Sequence, residues 1–229
     1  MSDPATATPA GSAPASASAA THDLPPRVPF VDARAKARAV AAVKTFESHT
    51  SAELVITVKK RARTYREAHL SFGLVVAAVT LLFLLFYPRD FSTTFMPVDT
   101  LIGFAVGYGL SRFVAPVERL AVPASTRRAV VEQAAKAAFF DLGVSKTTGR
   151  TGVLVYVALF EQMVAIIVDA GVTTEARRAA EATQGALEAA LARVDMGAFA
   201  ETLERLGPAF APTMARAADD VNELSDEIT

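Results

Sequence analysis

An aspartate closing an apolar run, "VDAG", and an arginine in a polar loop, "GVSKTTGRTG", are the residues of this chain best suited to chemistry. Asp169 in the first would serve as a metal ligand or a general base, since a strand end holds a carboxylate still while its oxygens stay reachable. Arg150 in the second, with Lys146 and the glycines and hydroxyls between Gly143 and Gly152, would cradle a phosphate. Glu161, in "FEQM", is the third candidate catalytic residue. Each has a plainer reading. The polar loop lacks the Gly-Lys-Ser/Thr ending of a P-loop and leads into a strand, so a simple helix–strand connection accounts for it. Asp169 equally suits a turn or the cap of the helix that follows. Glu161 and Glu53 fall at turns and strand edges, where solvated carboxylates are ordinary. His22, His49 and His69 are too scattered for a metal trio at recognisable spacing. No cofactor is expected, and a divalent metal near Asp169 is the one exception the residues leave open.

Composition narrows the function classes. The chain has 229 residues, 23 Lys and Arg against 24 Asp and Glu, and so lacks the basic excess of a nucleic-acid binder. It has no cysteine, which excludes disulfides, thiolate chemistry and cysteine-ligated zinc or iron–sulfur centres. A mean hydropathy of +0.31 is high for a soluble protein and comes largely from two local stretches.

The first is "LSFGLVVAAVTLLFLLFY", Leu70 to Tyr87, whose only polar members before the terminal tyrosine are Ser71 and Thr80. As a helix it measures about 27 Å, close to the hydrocarbon thickness of a bilayer. A buried core helix would show some polar face, and this one shows none. The second, Thr100 to Pro116, is uncharged up to Ser111 and is interrupted by Arg112; with that arginine snorkelling, a span from Asp99 to Val114 suffices. Gly103 and Gly107 stand there in GxxxG spacing, which lets helices approach closely. Lys59, Lys60, Arg61, Arg63 and Arg66 precede the first stretch, and Arg112, Arg119, Arg127 and Arg128 follow the second. Basic flanks favour the cytoplasmic side, so the pair reads as a hairpin in the inner membrane with both chain ends inside. His69, at its boundary, is expected to be interfacial, and the run "KKRARTYR" suits anionic lipid.

These positions depend on the elements around them. Residues 1–27 are Ala, Ser, Thr and Pro with few large apolar side chains, and are expected to be disordered; they lack the basic and apolar regions of a signal peptide. Residues 28–67 hold a helix capped by Asp32, with Ala35, Ala39, Val43 and Phe46 at helical spacing, and a buried strand from Leu54 to Val58. The hairpin occupies 68–116. Residues 117–212 hold a helix capped at Ser125, with a buried stripe of Val130, Ala134, Ala137 and Ala138, closed by Gly143. Strands Val153 to Leu159 and Met163 to Val168 follow, joined through Phe160, Glu161 and Gln162, a link so short that it forces antiparallel pairing. A helix capped by Thr173 or Thr174 comes next, then one capped by Asp195 with Phe199, Leu203 and Leu206 on one side, broken at Pro208 and Pro212. Residues 213–229 are an acidic tail, helical at its start.

Three stretches carry a family resemblance: "FESHTSAELVITV", "GRTGVLVYVAL" and "FEQMVAIIVDAGV". They resemble the helix-end and buried-strand signature, the Gly-Val-Leu strand, and the charged turn and following strand of the TPM domain family, named for a thylakoid lumen protein, a photosystem-associated protein and a worm receptor modulator. The resemblance implies a mixed-sheet α/β/α sandwich tethered to a membrane, here interrupted by the two-helix hairpin. It also implies the activities linked to some members, acid phosphatase activity or divalent-metal binding. Asp169 stands where relatives commonly carry a glycine-rich turn. The expectation is a membrane protein with a cytoplasmic TPM-like domain in an interaction or scaffold role in envelope or membrane-protein maintenance. Its partners would be the bilayer and a membrane or envelope protein, with no nucleic acid. The alternative is a metal-dependent, phosphatase-like hydrolase using Asp169 and Arg150.

Overall fold

A computed structural model describes Phe30, residues 32–88 and 91–216, and Leu224. The N-terminal tail, His22 and most of the acidic C-terminal tail lie outside the described residues.

Three strands form one mixed sheet in the order β1 (Glu53–Lys59), β2 (Gly152–Ala158), β3 (Met163–Val168). β1 pairs parallel with β2, Leu54 opposite Val153 and Val58 opposite Val157. β2 pairs antiparallel with β3, Val157 opposite Val164, as the short link requires. A strand covered on both faces reads as a continuous apolar run, and β2 is buried at every position.

One face carries Leu54, Ile56, Val153, Val155, Val157 and Val164. It is covered by α1 (Ala33–Glu47), α6 (Thr174–Ala192) and α7 (Met196–Phe210), which bring Phe46, Leu187, Phe199, Leu203 and Phe210 into the core. The other carries Val55, Leu154, Tyr156 and Ala165 under α5 (Ala124–Asp141). The result is an α/β/α sandwich whose first crossover, from β1 to α5, runs through the apolar segment. Asp32, Thr173 and Asp195 accept hydrogen bonds from the first turns of α1, α6 and α7, satisfying N–H groups that have no partner within the helix. Gly143 closes α5 with φ +71°, a conformation that favours glycine.

Three expectations for these helices need correction. α5 buries Val131, Ala135 and Phe139, one position on from the stripe expected, while Ala137 is exposed and Val130, Ala134 and Ala138 are partly covered. Alanines fix the phase of a helix weakly; burying the Phe139 ring decides it and leaves Phe140 exposed. The same helix begins at Ala124 behind Pro123, with no side-chain cap, instead of at Ser125. Pro208 lies inside α7, in its last turn and exposed, where only the bond to the Glu204 carbonyl is forgone.

Between β1 and α5 stand α2 (Arg66–Phe86), α3 (Met96–Phe113) and α4 (Ala115–Ala121). α2 and α3 pack antiparallel: Gly73 meets Gly107, Thr80 meets Gly103, and His69 meets Ser111. Among the described residues α2 is the one helix long and apolar enough by itself to cross a membrane, with 17% of its apolar window buried. α3 reaches that standard only together with α4, from which it is bent by 107°.

Candidate functional site

The structure brings Asp169 and Arg150 together. Arg150 Nη2 donates to Asp169 Oδ1 at 3.0 Å and Nε to Oδ2 at 3.5 Å. The same carboxylate accepts the N–H of Ala170 at 2.6 Å, and Arg177 Nη2 donates to the Asp169 carbonyl at 3.0 Å. Asp169 is buried and caps no helix, since Thr173 takes that place; it is a turn residue. Arg150 has φ +52°, held by its N–H to the Thr147 carbonyl and by the Gly171 N–H on its own carbonyl. A Cβ on Gly171 would stand 2.1 Å from the Gly149 oxygen, so the two loops touch backbone to backbone. The arrangement is a clasp between the loop entering β2 and the turn leaving β3. Its carboxylate is spent on that clasp.

Glu161 is also internal. Expected as a solvated turn carboxylate, it is 1% exposed, and Glu53 at the head of β1 is buried too. The cause is the chain after β1, which folds over the β2–β3 turn. Glu161 accepts the Ala62 N–H at 3.1 and 3.2 Å and the Tyr65 hydroxyl at 3.0 Å. Its carbonyl accepts from Arg127 Nη1 at 3.1 Å. The Arg61 guanidinium lies 4.0 Å above the Phe160 ring. Burial, and then the charge and hydrogen bond of Glu161, push the Tyr65 hydroxyl well above the usual tyrosine value. Tyr156 is raised as well, again chiefly by burial.

A second polar group, which the sequence did not announce, joins the sandwich to the helix pair. Arg61 donates to both oxygens of Glu118 in α4 at 2.8 Å. His69 in the first turn of α2 places Nε2 3.6 Å from Glu118 and Nδ1 3.1 Å from the Ser111 hydroxyl. His69, Ser111 and Glu118 are all nearly fully buried, so His69 packs inside the protein. Glu118 in a basic flank and Ser111 at the end of an apolar run were the available signals.

His49 is exposed, with Nδ1 2.7 Å from the Thr45 carbonyl. Among the described residues no three of His, Cys, Asp or Glu converge as metal ligands would. Two clefts open where the sandwich meets the helix pair. One, of about 360 Å3, is lined by Arg63, Tyr65, Ser71 and Thr126; the other, of about 490 Å3, by Arg119, Leu120, Arg127 and Gln162. Neither is lined by Asp169, Arg150 or Glu161.

No known family profile and no curated protein matches the chain. Among solved structures it is similar to the NMR structure of the BA42 protein from the psychrophilic bacterium Bizionia argentinensis, with a TM-score of 0.52. The match covers 87% of this chain and 94% of BA42 at 17% sequence identity, a likeness of fold.

Proposed function

We propose that the chain is an integral membrane protein in which α2 and α3 cross the bilayer as a hairpin and hold a TPM-like sandwich against its cytoplasmic face. There it acts as a non-catalytic interaction module in envelope or membrane-protein maintenance. The observation that carries this is the outer surface of the helix pair: Leu74, Val75, Leu82, Phe83, Leu85 and Phe86 on α2 and Leu101, Ile102 and Val106 on α3 are exposed. So continuous an apolar surface is not left to water. The interaction role is supported by the state of the acids: Asp169 is occupied by Arg150 and the Ala170 N–H, Glu161 by Tyr65 and Ala62, and Glu118 by Arg61.

The chain's lack of cysteine makes the topology directly testable. A single cysteine at Ser92 should react with a membrane-impermeant maleimide in intact cells, and one at Thr213 only in inverted membrane vesicles. Labelling of both from one side, or release of the protein by alkaline carbonate, defeats the reading.

The hydrolase alternative has one observation in its favour, the adjacency of Arg150 and Asp169. It requires that pair to open and release both groups to a substrate. Turnover of a generic phosphate ester with added divalent metal, abolished by Asp169→Asn, would establish it.

A further inference from the structure

We infer that the cleft between α4 and the start of α5 seats the phosphate of an anionic membrane lipid, a reading that rests on the bilayer placement of α2 and α3. The cleft, about 490 Å3, has two unlike walls. Pro116, Leu120 and Pro123 make one apolar, and Leu120 is 81% exposed; Phe113, at the end of α3, is 83% exposed. Arg119, Arg127 and Gln162 make the other polar.

Among the described residues neither Arg119 nor Arg127 forms an ion pair with a carboxylate, although Arg61 and Arg128 each do. Arg127 gives Nη1 to the Glu161 carbonyl, while its Nε is buried with no acceptor. Arg127 Nη2 has no acceptor among the described residues and is not sealed from solvent, so an oxygen-rich anion in the cleft would take a charge-assisted hydrogen bond from it. α5 adds to this. Pro123 and Ala124 line the cleft, and this 18-residue helix has no side-chain cap, so its first-turn N–H groups and positive dipole end are available to an anion.

Location selects the source of the anion. α4 turns away from α3 by 107° and is tied to the first turn of α2 through Glu118 and His69, so the cleft lies where the lipid-facing surface begins. Leu120 and Phe113 then meet acyl chains while the arginines meet the headgroup. A soluble phosphate would have no use for that apolar wall.

The full chain would be incorporated into nanodiscs of phosphatidylcholine with or without phosphatidylglycerol, and retained lipid counted by native mass spectrometry. Insertion is scored separately by resistance to alkaline carbonate, so a protein that fails to insert refutes the bilayer reading and not this one. The expected result is preferential retention of phosphatidylglycerol over phosphatidylcholine. It should weaken about fivefold in Arg119→Gln and about fivefold again when Arg127→Gln is added. Among the described residues Arg119 has no hydrogen-bond or ion-pair partner, so the single variant reports on the cleft without risk to the fold, and Arg119→Lys should keep most of the binding. Inserted protein that shows no preference between the lipids, an Arg119→Gln variant that retains phosphatidylglycerol undiminished, or full displacement by millimolar inorganic phosphate would each overturn the inference.

Discussion

Gly73 of α2 and Gly107 of α3 meet backbone to backbone: a Cβ added at Gly107 would stand 3.1 Å from the Gly73 Cα and 2.7 Å from the Val76 Cβ. One turn away a Cβ at Gly103 would meet the Thr80 hydroxyl at 2.4 Å, and one turn the other way lies buried Ser111. Small residues every fourth position therefore make the seam of the pair, and the large residues go outward. In lipid, where apolar surface gains nothing by leaving its solvent, such close packing is what holds helices together.

Gly107→Leu should separate the pair, with an overpacking cost of about 1–3 kcal/mol and a lower melting temperature in detergent. Gly109→Leu is the control, because a Cβ there meets nothing within 4 Å. Equal melting temperatures for the two variants would remove Gly107 from the seam.

Arg128 of α5 and Glu188 of α6 reach round the free edge of β3 and bond each other at 2.6 and 2.9 Å. Between them they take up the backbone edge of Val164 that no strand pairs with, Arg128 donating to its carbonyl and Glu188 accepting its N–H. An unpaired edge strand is a template for aggregation, and this pair blunts it while joining the helices of both faces. Glu188→Ala should cost about 1–3 kcal/mol in denaturant unfolding, mostly from the N–H and guanidinium left without an acceptor. The side chains are partly exposed, so a double-mutant cycle with Arg128→Ala should return a smaller coupling, about 1 kcal/mol or less. A cost within error of zero for Glu188→Ala would show that the edge needs no cover.

Alkaline pH should unlock the chain that follows β1. The Tyr65 hydroxyl is raised above its ordinary value of 10.0, first by burial and then by Glu161. A group whose proton is held more tightly in the folded state stabilises fully below its unfolded value and loses that contribution as pH climbs past it. Stability should therefore be flat towards pH 9 and fall above about pH 10. Tyr65→Phe should remove part of that fall and lower stability near neutrality by about 1–3 kcal/mol, since Glu161 loses a donor while remaining buried. Identical alkaline limbs in the two proteins would assign the fall elsewhere, Tyr156 being the next candidate.

Local signals made most of the sandwich readable. Asp32, Thr173 and Asp195 each precede an apolar period and cap the helix they announce, and the short link, four residues from Leu159 to Gln162, leaves β2 and β3 no choice but to run antiparallel. Where chemistry is weakly patterned, the reading slipped. An alanine-rich α5 has no strong apolar phase until the Phe139 ring is placed, and Pro208 is tolerated because it comes so late in α7. The polar junction was illegible for a different reason. Arg61 and Glu118 are 57 residues apart and His69 and Ser111 are 42 apart, and each is unremarkable in its own window. Only the return of the chain through α3 brings them together. Glu161 shows the same effect: its burial is caused by Ala62 and Tyr65, which no window around the turn contains.

Asp169 and Arg150 should prove to matter for stability and not for turnover. Asp169→Asn keeps the size of the side chain but weakens acceptance from Arg150 and from the Ala170 N–H, and should cost about 1–2 kcal/mol in unfolding. Position 150 separates backbone from side chain. Arg150→Gly relieves the positive φ, a gain of about 1 kcal/mol, while losing an ion pair whose arginine is 61% exposed and so contributes little, and its stability should stay close to that of the parent. Arg150→Val loses the pair and adds a β-branched side chain where φ is +52°, and should fall well below it. The ordering Gly above Val, with no measurable phosphate-ester hydrolysis in the parent protein, is what a structural clasp produces. The reverse ordering, or hydrolysis that disappears in all three variants, would instead make this loop pair a site of chemistry.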